Sequence, residues 1–344
     1  MKKLFRAFSV FVVAVMLVGC FAPTAPNSSQ TMEQKSGTQE PQGKLKVYTS
    51  FYPMYDFAKK IGGDKADVIN LVPVGAEPHD WEPDAKALAD LESADLFIYN
   101  GVGMEDWVEK VLSSVHNDKL TVVEASRGVD LLKFEEQDEK EVHDKDHKEE
   151  KAHVHEEEHE HEKVHEGHHH HGEFDPHVWL SIQNAKKELK NIKDAFVEKD
   201  SANKDYYEAN YEKYAKAFDA LDEKFTSELG KLENKNIVVA HEAFGYLCRD
   251  YGLRQIGIEG VNADSEPDAG RMAEIIEFVH KNNVKTIYFE ELISPKVAEA
   301  IAKETGAKTA MLNPLEGLGQ EDLDKGVDYL QVMEKNLETL IQGQ

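Results

Sequence analysis

Short apolar runs alternate with helical patterns of hydrophobic residues in the first third of the chain. KLKVYTS, at 44–50, predicts a strand, and the following FYPMYDFAKKIGG predicts a helix that ends at a pair of glycines. VINLVPV, DLFIYNG and LTVVEAS are further short apolar runs, each followed by a loop and by helical periodicity. Strands that alternate with helices predict a parallel sheet built from βαβ units.

Two long helical patterns interrupt this alternation. Residues 181–200 and 203–232 have apolar and aromatic side chains at three- and four-residue spacing, which predicts two amphipathic helices. The second helix would be about 45 Å long at a rise of 1.5 Å per residue, which is enough to cross the molecule.

Strand and helix patterns resume after residue 232 and end in one closing helix, DLDKGVDYLQVMEKNLETLIQ. A chain of 344 residues, 40% of them hydrophobic, is long enough for two compact domains. We therefore predict an α/β fold with two lobes of parallel-sheet βα units, at 44–202 and 233–344. The single long helix at 203–232 would join the lobes as a rigid link, with a cleft between them.

The amino-terminal residues follow neither pattern. Residues 1–19 have a basic start and an apolar run followed by small residues, which predicts an export signal peptide. The apolar run, at 7–19, is shorter than the roughly 20 residues that a transmembrane helix needs. LVGC at its end resembles the bacterial lipobox, so we expect cleavage before Cys20 and lipidation of that cysteine. Residues 20–43 are rich in Ser, Thr, Pro, Gln and Gly and predict a flexible tether.

Residues 134–173, the acid–histidine tract, contain almost no apolar side chains. Such a segment cannot form a hydrophobic core, so we predict a disordered loop inserted in the first lobe. Eleven of the sixteen histidines of the chain lie in this tract: His143, His147, His153, His155, His159, His161, His165, His168, His169, His170 and His171.

The formal net charge of the chain is -26. Nucleic acids and anionic membrane surfaces would repel so negative a protein, which argues against both as partners. Cations are the ligands that this charge favours. After lipidation of Cys20, only Cys248 would remain as a free thiol, so we expect no internal disulfide.

Three histidines outside the tract lie where predicted strands end or helices begin. His79 follows the run VINLVPV, His241 follows IVVA directly, and His177 precedes the helix at 181–200. Ligands of open parallel sheets bind beyond the carboxyl ends of the strands. We therefore expect the three imidazoles to share the cleft, although each alone would be typical of a hydrogen-bonded structural histidine.

Three neutral imidazoles suit zinc, and one carboxylate would complete a tetrahedral site. Glu316, in the loop after the last strand, is the favoured fourth ligand because a loop can turn its side chain into the cleft. Glu290 and Glu291, near the end of a strand, are alternatives, and Asn313 is a weaker one because its amide oxygen is neutral.

Polar and aromatic neighbours of the three histidines have supporting roles in this interpretation. Glu77 and Asp80 are candidates to orient an imidazole ring from behind, although surface carboxylates are common. Trp81 and Trp179 are expected to wall the site and exclude water, because apolar side chains surround many metal sites.

Four motifs occur in order along the chain: PVGAEPHDWEP, FDPHVWLS, VVAHEAFGYL and LNPLEGL, with the acid–histidine tract before the second. In this order they resemble the zinc-specific substrate-binding lipoproteins of bacterial ABC importers, and the resemblance covers residues 44–344. It implies two α/β lobes bridged by a rigid helix, with one Zn²⁺ ion between them as the transported cargo. It also implies a membrane permease that receives the ion.

Carried over by motif, the metal ligands would be His79, His177, His241 and Glu316. Relatives that carry manganese typically have a carboxylate in place of the third histidine, and three nitrogen ligands favour zinc over that harder ion. Some members have an aspartate at the position of Asn313, so the fourth ligand is the least secure of the four.

The resemblance also gives the acid–histidine tract a role. Histidines mixed with carboxylates offer many weak sites that would raise the zinc concentration near the cleft. A solvated charged loop without a metal role is the alternative.

We expect a monomer outside the cytoplasm, anchored to the membrane by Cys20, that is not an enzyme. A surface adhesin, a manganese-binding relative and, less favoured, a zinc hydrolase are the alternative functions.

Overall fold

Four short strands in the amino-terminal part of the chain form a fully parallel sheet. They are β1 (Leu45–Thr49), β2 (Ala66–Asn70), β3 (Leu96–Tyr99) and β4 (Thr121–Glu124), in the spatial order β2-β1-β3-β4. The central strands β1 and β3 are mostly buried, as is usual in a parallel sheet between helices. The computed structural model describes residues 43–133, 173–260 and 267–344.

Four helices belong to the same part of the chain: α1 (Tyr52–Gly62), α2 (Ala85–Leu91), α3 (Val108–Ser114) and α4 (Ile182–Lys199). Pro53 lies in the first turn of α1, where its fixed φ is favourable and its missing N–H costs nothing. Ser181 caps α4, because its hydroxyl accepts a hydrogen bond from the backbone N–H of Asn184. These local signals explain why both helices begin close to their predicted positions.

The long helix α5 (Lys204–Leu229) follows α4 and contains 26 residues. It is therefore about 39 Å long at 1.5 Å per residue, a little shorter than the 203–232 predicted from the sequence. Tyr207, Phe218 and Phe225 are fully buried along it. Their spacing of 11 and 7 residues brings them to one face of the helix, and that face packs into the core.

The second lobe repeats the arrangement of the first. Its strands are β5 (Asn236–Val239), β6 (Arg254–Gly257), β7 (Thr286–Phe289) and β8 (Lys308–Met311), all parallel and in the order β6-β5-β7-β8. Its first three helices are α6 (Gly245–Tyr251), α7 (Ala269–Lys281) and α8 (Lys296–Thr305). The predicted α/β fold, with two parallel-sheet lobes and one long helix between them, is confirmed.

The end of the chain differs from the prediction of one closing helix. Two helices, α9 (Gln320–Lys325) and α10 (Tyr329–Gln342), are separated by a break at Gly326, which has a φ of 72°. This left-handed conformation favours glycine and ends α9. Asp328 then starts α10 with a capping box, because its carboxylate and the Gln331 side chain each accept the other residue's backbone N–H.

One hydrophobic core extends through both lobes. It includes residues from the first sheet, from α5 and from the second lobe as far as α10. At its centre the ring of Tyr329 lies 5.0 Å from that of Phe57 and 5.3 Å from that of Phe218. Helices α1, α5 and α10 thus meet in one aromatic cluster, which joins the two lobes by packing.

A buried ion network supports the same junction. The Lys60 ammonium on α1 lies 2.8 and 2.7 Å from the two carboxylate oxygens of Asp56, and 2.8 Å from Oδ2 of Asp328. The side chain of Lys60 is only 5% exposed, so this charge depends on its partners for compensation. The network therefore links the first lobe to the start of α10.

The helices in residues 43–133, 173–260 and 267–344 were also compared with the length and apolar character that a membrane span requires. None of them meets both requirements. The predicted signal peptide and Cys20 lie outside the described residues, as do the histidines of the acid–histidine tract.

Glu188 on α4 gives the fold a pH dependence that can be tested. It is fully buried, and neither carboxylate oxygen has a hydrogen-bond partner among the described residues, so burial holds its pKa well above the usual 4.5. Above pH 4.5 the unfolded chain loses this proton while the folded protein keeps it. We expect the free energy of unfolding to fall with rising pH, with a contribution from Glu188 of up to about 1.4 kcal/mol per pH unit.

Urea unfolding at several pH values from 5 to 8 measures this dependence. Glu188→Gln should make the free energy of unfolding fall less steeply than in the wild-type protein, because the amide has no proton to lose on unfolding, and its shape is close to that of the neutral acid. Glu198→Gln, on an exposed position of the same helix, is the matched control and should leave the slope unchanged. Equal slopes for Glu188→Gln and the wild-type protein would show that Glu188 does not hold this proton.

Candidate metal centre

Four side chains converge in the structure: His79, His177, His241 and Glu316, each with one possible ligand atom within 4.8 Å of the others. Nε2 of His177 lies 3.3 Å from Nε2 of His79 and 3.4 Å from Nε2 of His241. Oε1 of Glu316 lies 3.1 Å from Nε2 of both His177 and His241, and 3.5 Å from that of His79. Three ring nitrogens and one carboxylate oxygen therefore face a common centre.

Each lobe contributes two of these side chains. His79 lies in the loop after β2, and His177 immediately precedes the 3-10 turn Val178–Leu180 that leads into α4. His241 follows β5 after one intervening residue, and Glu316 lies in the loop after β8. The carboxyl ends of parallel strands thus bring residues far apart in sequence to one place, where this class of fold binds its ligands.

The cluster is almost completely removed from solvent. The side chains of His177 and His241 have no exposed surface, Glu316 is 2% exposed and the His79 side chain is 6% exposed. Trp179 closes one side, with its ring centre 5.3 Å from that of His177. Trp81, the other tryptophan predicted to wall the site, packs against Trp107 with ring centres 5.2 Å apart.

Two of the imidazoles are oriented from behind by carboxylates. Nδ1 of His177 lies 2.8 Å from Oδ1 of Asp175, and Nδ1 of His241 lies 2.7 Å from Oε1 of Glu290. A carboxylate only accepts hydrogen bonds, so Nδ1–H of a neutral ring donates to it. The lone pair of Nε2 then points into the cluster, as in histidines that bind metals.

The sequence-based candidates for this orienting role are Glu77 and Asp80. Glu77 accepts a long hydrogen bond of 3.4 Å from the backbone N–H of His79, and Asp80 is exposed. The residues that orient the rings are Asp175 and Glu290. Asp175 was missed, although its position two residues before His177 in FDPHVW could have identified it.

The alternatives to Glu316 have other partners. Oε1 of Glu290 is engaged with His241, and Oε2 of Glu291 accepts a hydrogen bond of 2.8 Å from the Asn313 amide. Oδ1 of Asn313 accepts the backbone N–H of Leu315. Among the candidates considered, it is Glu316 that the structure brings to the three histidines.

The buried charges of the cluster shift one another's pKa values. Burial alone would lower the pKa of His177 and His241, but the nearby carboxylates outweigh it and raise both, His241 most strongly through Glu290 and Glu316. Burial alone would raise the pKa of Glu316, but His241 and the other imidazoles hold it well below its usual value. Burial and the charge of Glu316 raise the pKa of neighbouring Glu77 to about 8.

Residues 47–343 match the profile described as ZnuA, the periplasmic component A of a zinc-uptake complex. The chain belongs to the ZnuA family. The match extends over nearly all of the chain that follows residue 46.

Named members of the ZnuA family agree with this placement. The high-affinity zinc uptake system protein ZnuA of Bacillus subtilis is 42% identical over 98% of both chains. The zinc-binding lipoprotein AdcA of Streptococcus pneumoniae is 41% identical over 89% of this chain, which spans only 57% of AdcA. The crystal structure of the Zn(II)-bound ZnuA-like domain of that AdcA covers 88% of this chain and 99% of its own, with 38% identity and a TM-score of 0.70.

The raised pKa values of His177 and His241 predict that metal binding by this ZnuA-family site releases protons. Below the raised pKa values the rings keep protons that a metal ion must displace, so the affinity falls as the pH falls. We expect up to about a tenfold loss of zinc affinity per pH unit for each proton displaced. Calorimetry at pH 6 and pH 8, in buffers with different heats of ionisation, measures the number of protons released. Identical affinity at both pH values and no proton release would contradict the prediction.

Proposed function

We propose that this protein is the extracytoplasmic zinc-binding component of an ABC importer, which captures Zn²⁺ between two lobes and delivers it to a membrane permease. One observation carries the proposal: three imidazole nitrogens, two of them from fully buried rings, and one buried carboxylate oxygen converge from both lobes. Membership of the ZnuA family and the zinc-uptake and zinc-binding names of its relatives support it.

The proposed ligands are His79, His177, His241 and Glu316. Three nitrogens and one oxygen form a four-coordinate set that zinc accepts in tetrahedral geometry. A harder ion such as Mn²⁺ prefers more oxygen ligands, so we expect it to bind this set less tightly. A manganese-binding function would be favoured if a carboxylate replaced His241.

A cargo protein must remain folded when its ion has left. The aromatic cluster of Phe57, Phe218 and Tyr329 joins the lobes. None of these residues is a proposed ligand, and their rings are held together by packing. A structural metal ion would instead supply much of the free energy of folding, and the protein would unfold when the ion is removed. The shared core thus supports a transported ion over a structural one.

The eleven histidines of the acid–histidine tract are proposed to capture zinc near this site. The residues that flank the tract lie side by side, because Lys133 and Phe174 form an antiparallel bridge and the Asp175 N–H donates to Leu132 O at 2.9 Å. Asp175 is also the residue that orients His177. Ions held by the tract would therefore start close to a proposed ligand, which raises their local concentration.

The remaining assignments rest on the amino-acid sequence. We propose that residues 1–19 direct export, that a lipid on Cys20 anchors the protein to the membrane, and that residues 20–43 are the tether. The protein would work as a monomer, with the permease as its partner, and would not be an enzyme. The domain limits 44–202 and 233–344, with the link at 203–232, stay predictions.

Two other functions are less well supported by the site. A zinc hydrolase keeps one coordination position open for water, whereas Glu316 as a fourth protein ligand would close it. The pattern HExxH of many zinc proteases occurs at 155–159 and 161–165, but in the acid–histidine tract, outside the described residues and with almost no apolar side chains to pack a helix. A surface adhesin is the second alternative, and it is compatible with the proposed lipid anchor.

Calorimetric titration of Zn²⁺ and Mn²⁺ into a chain lacking residues 1–20 and 135–172 tests the proposal. We expect one tight zinc site and only weak binding of Mn²⁺. His177→Ala should weaken zinc binding by a factor of about 100 or more, because it removes one of four ligands. His116→Ala is the control, since its side chain is 86% exposed and distant in sequence from the ligands. Unchanged zinc affinity of His177→Ala would overturn the ligand assignment.

Deletion of residues 135–172 tests the role of the tract. Cells that express the full chain or the shortened chain are grown with a zinc chelator, and uptake of radioactive zinc is measured. We expect slower uptake by the shortened chain under starvation and equal uptake when zinc is abundant, because the tract only raises the local concentration. Equal uptake under both conditions would leave the tract as a solvated loop without a metal role.

A further inference from the structure

The loop that carries Glu316 contains a residue in an unusual backbone conformation. Leu315, immediately before Glu316, has a φ of 63° and is fully buried. A left-handed conformation is unfavourable for a residue with a large side chain, so it persists only where surrounding contacts enforce it. The direction of the next side chain, that of Glu316, depends on this conformation.

The first contact that enforces it comes from the last helix. Asn336 on α10 accepts a hydrogen bond of 2.9 Å from the Asn313 N–H and donates one of 2.7 Å to the Asn313 carbonyl oxygen. One side-chain amide thus satisfies both backbone polar groups of Asn313. Asn336 is 2% exposed, and an apolar residue there would leave two buried backbone groups without this partner.

The side chain of Asn313 transmits this constraint to Leu315. Its Oδ1 accepts a hydrogen bond of 2.7 Å from the Leu315 N–H, which closes a tight turn just before Glu316. Its Nδ2 donates to Oε2 of Glu291 at 2.8 Å, while Oε1 of Glu291 accepts the Gly319 N–H at 3.0 Å. Glu291 therefore holds both the start and the end of the loop.

We propose that Asn336 and Glu291 are positioning residues for Glu316, which set the direction of the carboxylate before the metal arrives. This inference rests on the proposed function, because it requires Glu316 to be a ligand. The two adjacent carboxylates, Glu290 and Glu291, then have different roles. Glu290 orients His241, and Glu291 orients the loop of Glu316.

A double-mutant cycle on the mature chain, residues 20–344, separates positioning from general stability. Zinc affinity is measured by competition with a tight chelator that excludes weak sites in the tract. Asn336→Ala and Glu291→Gln should each weaken zinc binding about 10- to 100-fold, the usual effect of removing a residue that orients a metal ligand. In a Glu316→Ala background neither substitution should weaken it further, because the residue through which they act is absent.

Leu337→Ala is the matched control. Leu337 is the buried neighbour of Asn336 on α10, so its substitution destabilises the helix packing while the hydrogen bonds to the loop remain. We expect zinc affinity within twofold of the wild-type value for this variant. If Asn336→Ala does not fold, Glu291→Gln tests the same loop from the other side.

Cobalt gives an independent measurement, because its visible absorption reports coordination number. Wild-type protein should give the intense bands of a four-coordinate site, and Asn336→Ala or Glu291→Gln weaker bands as water or a second carboxylate oxygen enters. The inference is overturned if these variants bind zinc and cobalt as the wild-type protein does. It is also overturned if each substitution weakens zinc binding by the same factor in the Glu316→Ala background as in the wild-type background. Failure of the proposed function itself would appear separately, as wild-type zinc affinity that His177→Ala leaves unchanged.

Discussion

The carboxylate of Glu316 sits among three imidazole rings in a space closed to solvent, and this contact determines the organisation of the site. A buried charge is costly unless it is paired, and the rings that pair with it come from both lobes. Without a metal, protons on the rings supply the compensating charge, as the raised pKa values of His177 and His241 indicate. A divalent cation in the same place would make the same compensation more completely.

Part of the negative charge of the site lies on carboxylates that are not among the four converging donor groups. An ion at the centre would contact three neutral nitrogens and one oxygen, a set that favours zinc. Two more carboxylates, Asp175 and Glu290, lie behind the rings, at 2.8 and 2.7 Å from their Nδ1 atoms. These carboxylates contribute attraction for a cation without adding the oxygen ligands that would favour a harder ion.

The sequence predicted the fold class because the period of the apolar residues changed clearly between strands and helices. It predicted the convergence of His79, His177 and His241 because ligands collect at the carboxyl ends of parallel strands. It did not predict the break between α9 and α10, since DLDKGVDYLQ keeps a helical spacing of apolar residues through Gly326. Local hydrogen bonds, from the Gly326 N–H to Leu323 O and from the Val327 N–H to Asp322 O, close the end of α9, and Asp328 at the start of α10 pairs with Lys60 of the first lobe.

The side chains that orient the ligands were harder to predict for a related reason. Asp175 is local in sequence to His177 and could have been identified, whereas Glu290 reaches His241 across 49 residues. Asn336 reaches Asn313 across 23 residues and from another helix. Such pairs depend on how elements pack, and no periodicity along one element records that.

The identical strand order of the two sheets permits a comparison within the molecule. In the second lobe, His241 after β5 contacts Glu290 after β7. At the corresponding strand ends of the first lobe, Ser50 after β1 donates to the buried carboxylate of Glu105 at 2.6 Å. Both lobes therefore place a buried carboxylate between the ends of their two central strands. In the second lobe that carboxylate pairs with the imidazole of His241, whereas in the first lobe it accepts from the hydroxyl of Ser50, so one topology holds two different chemical groups beside its central strands.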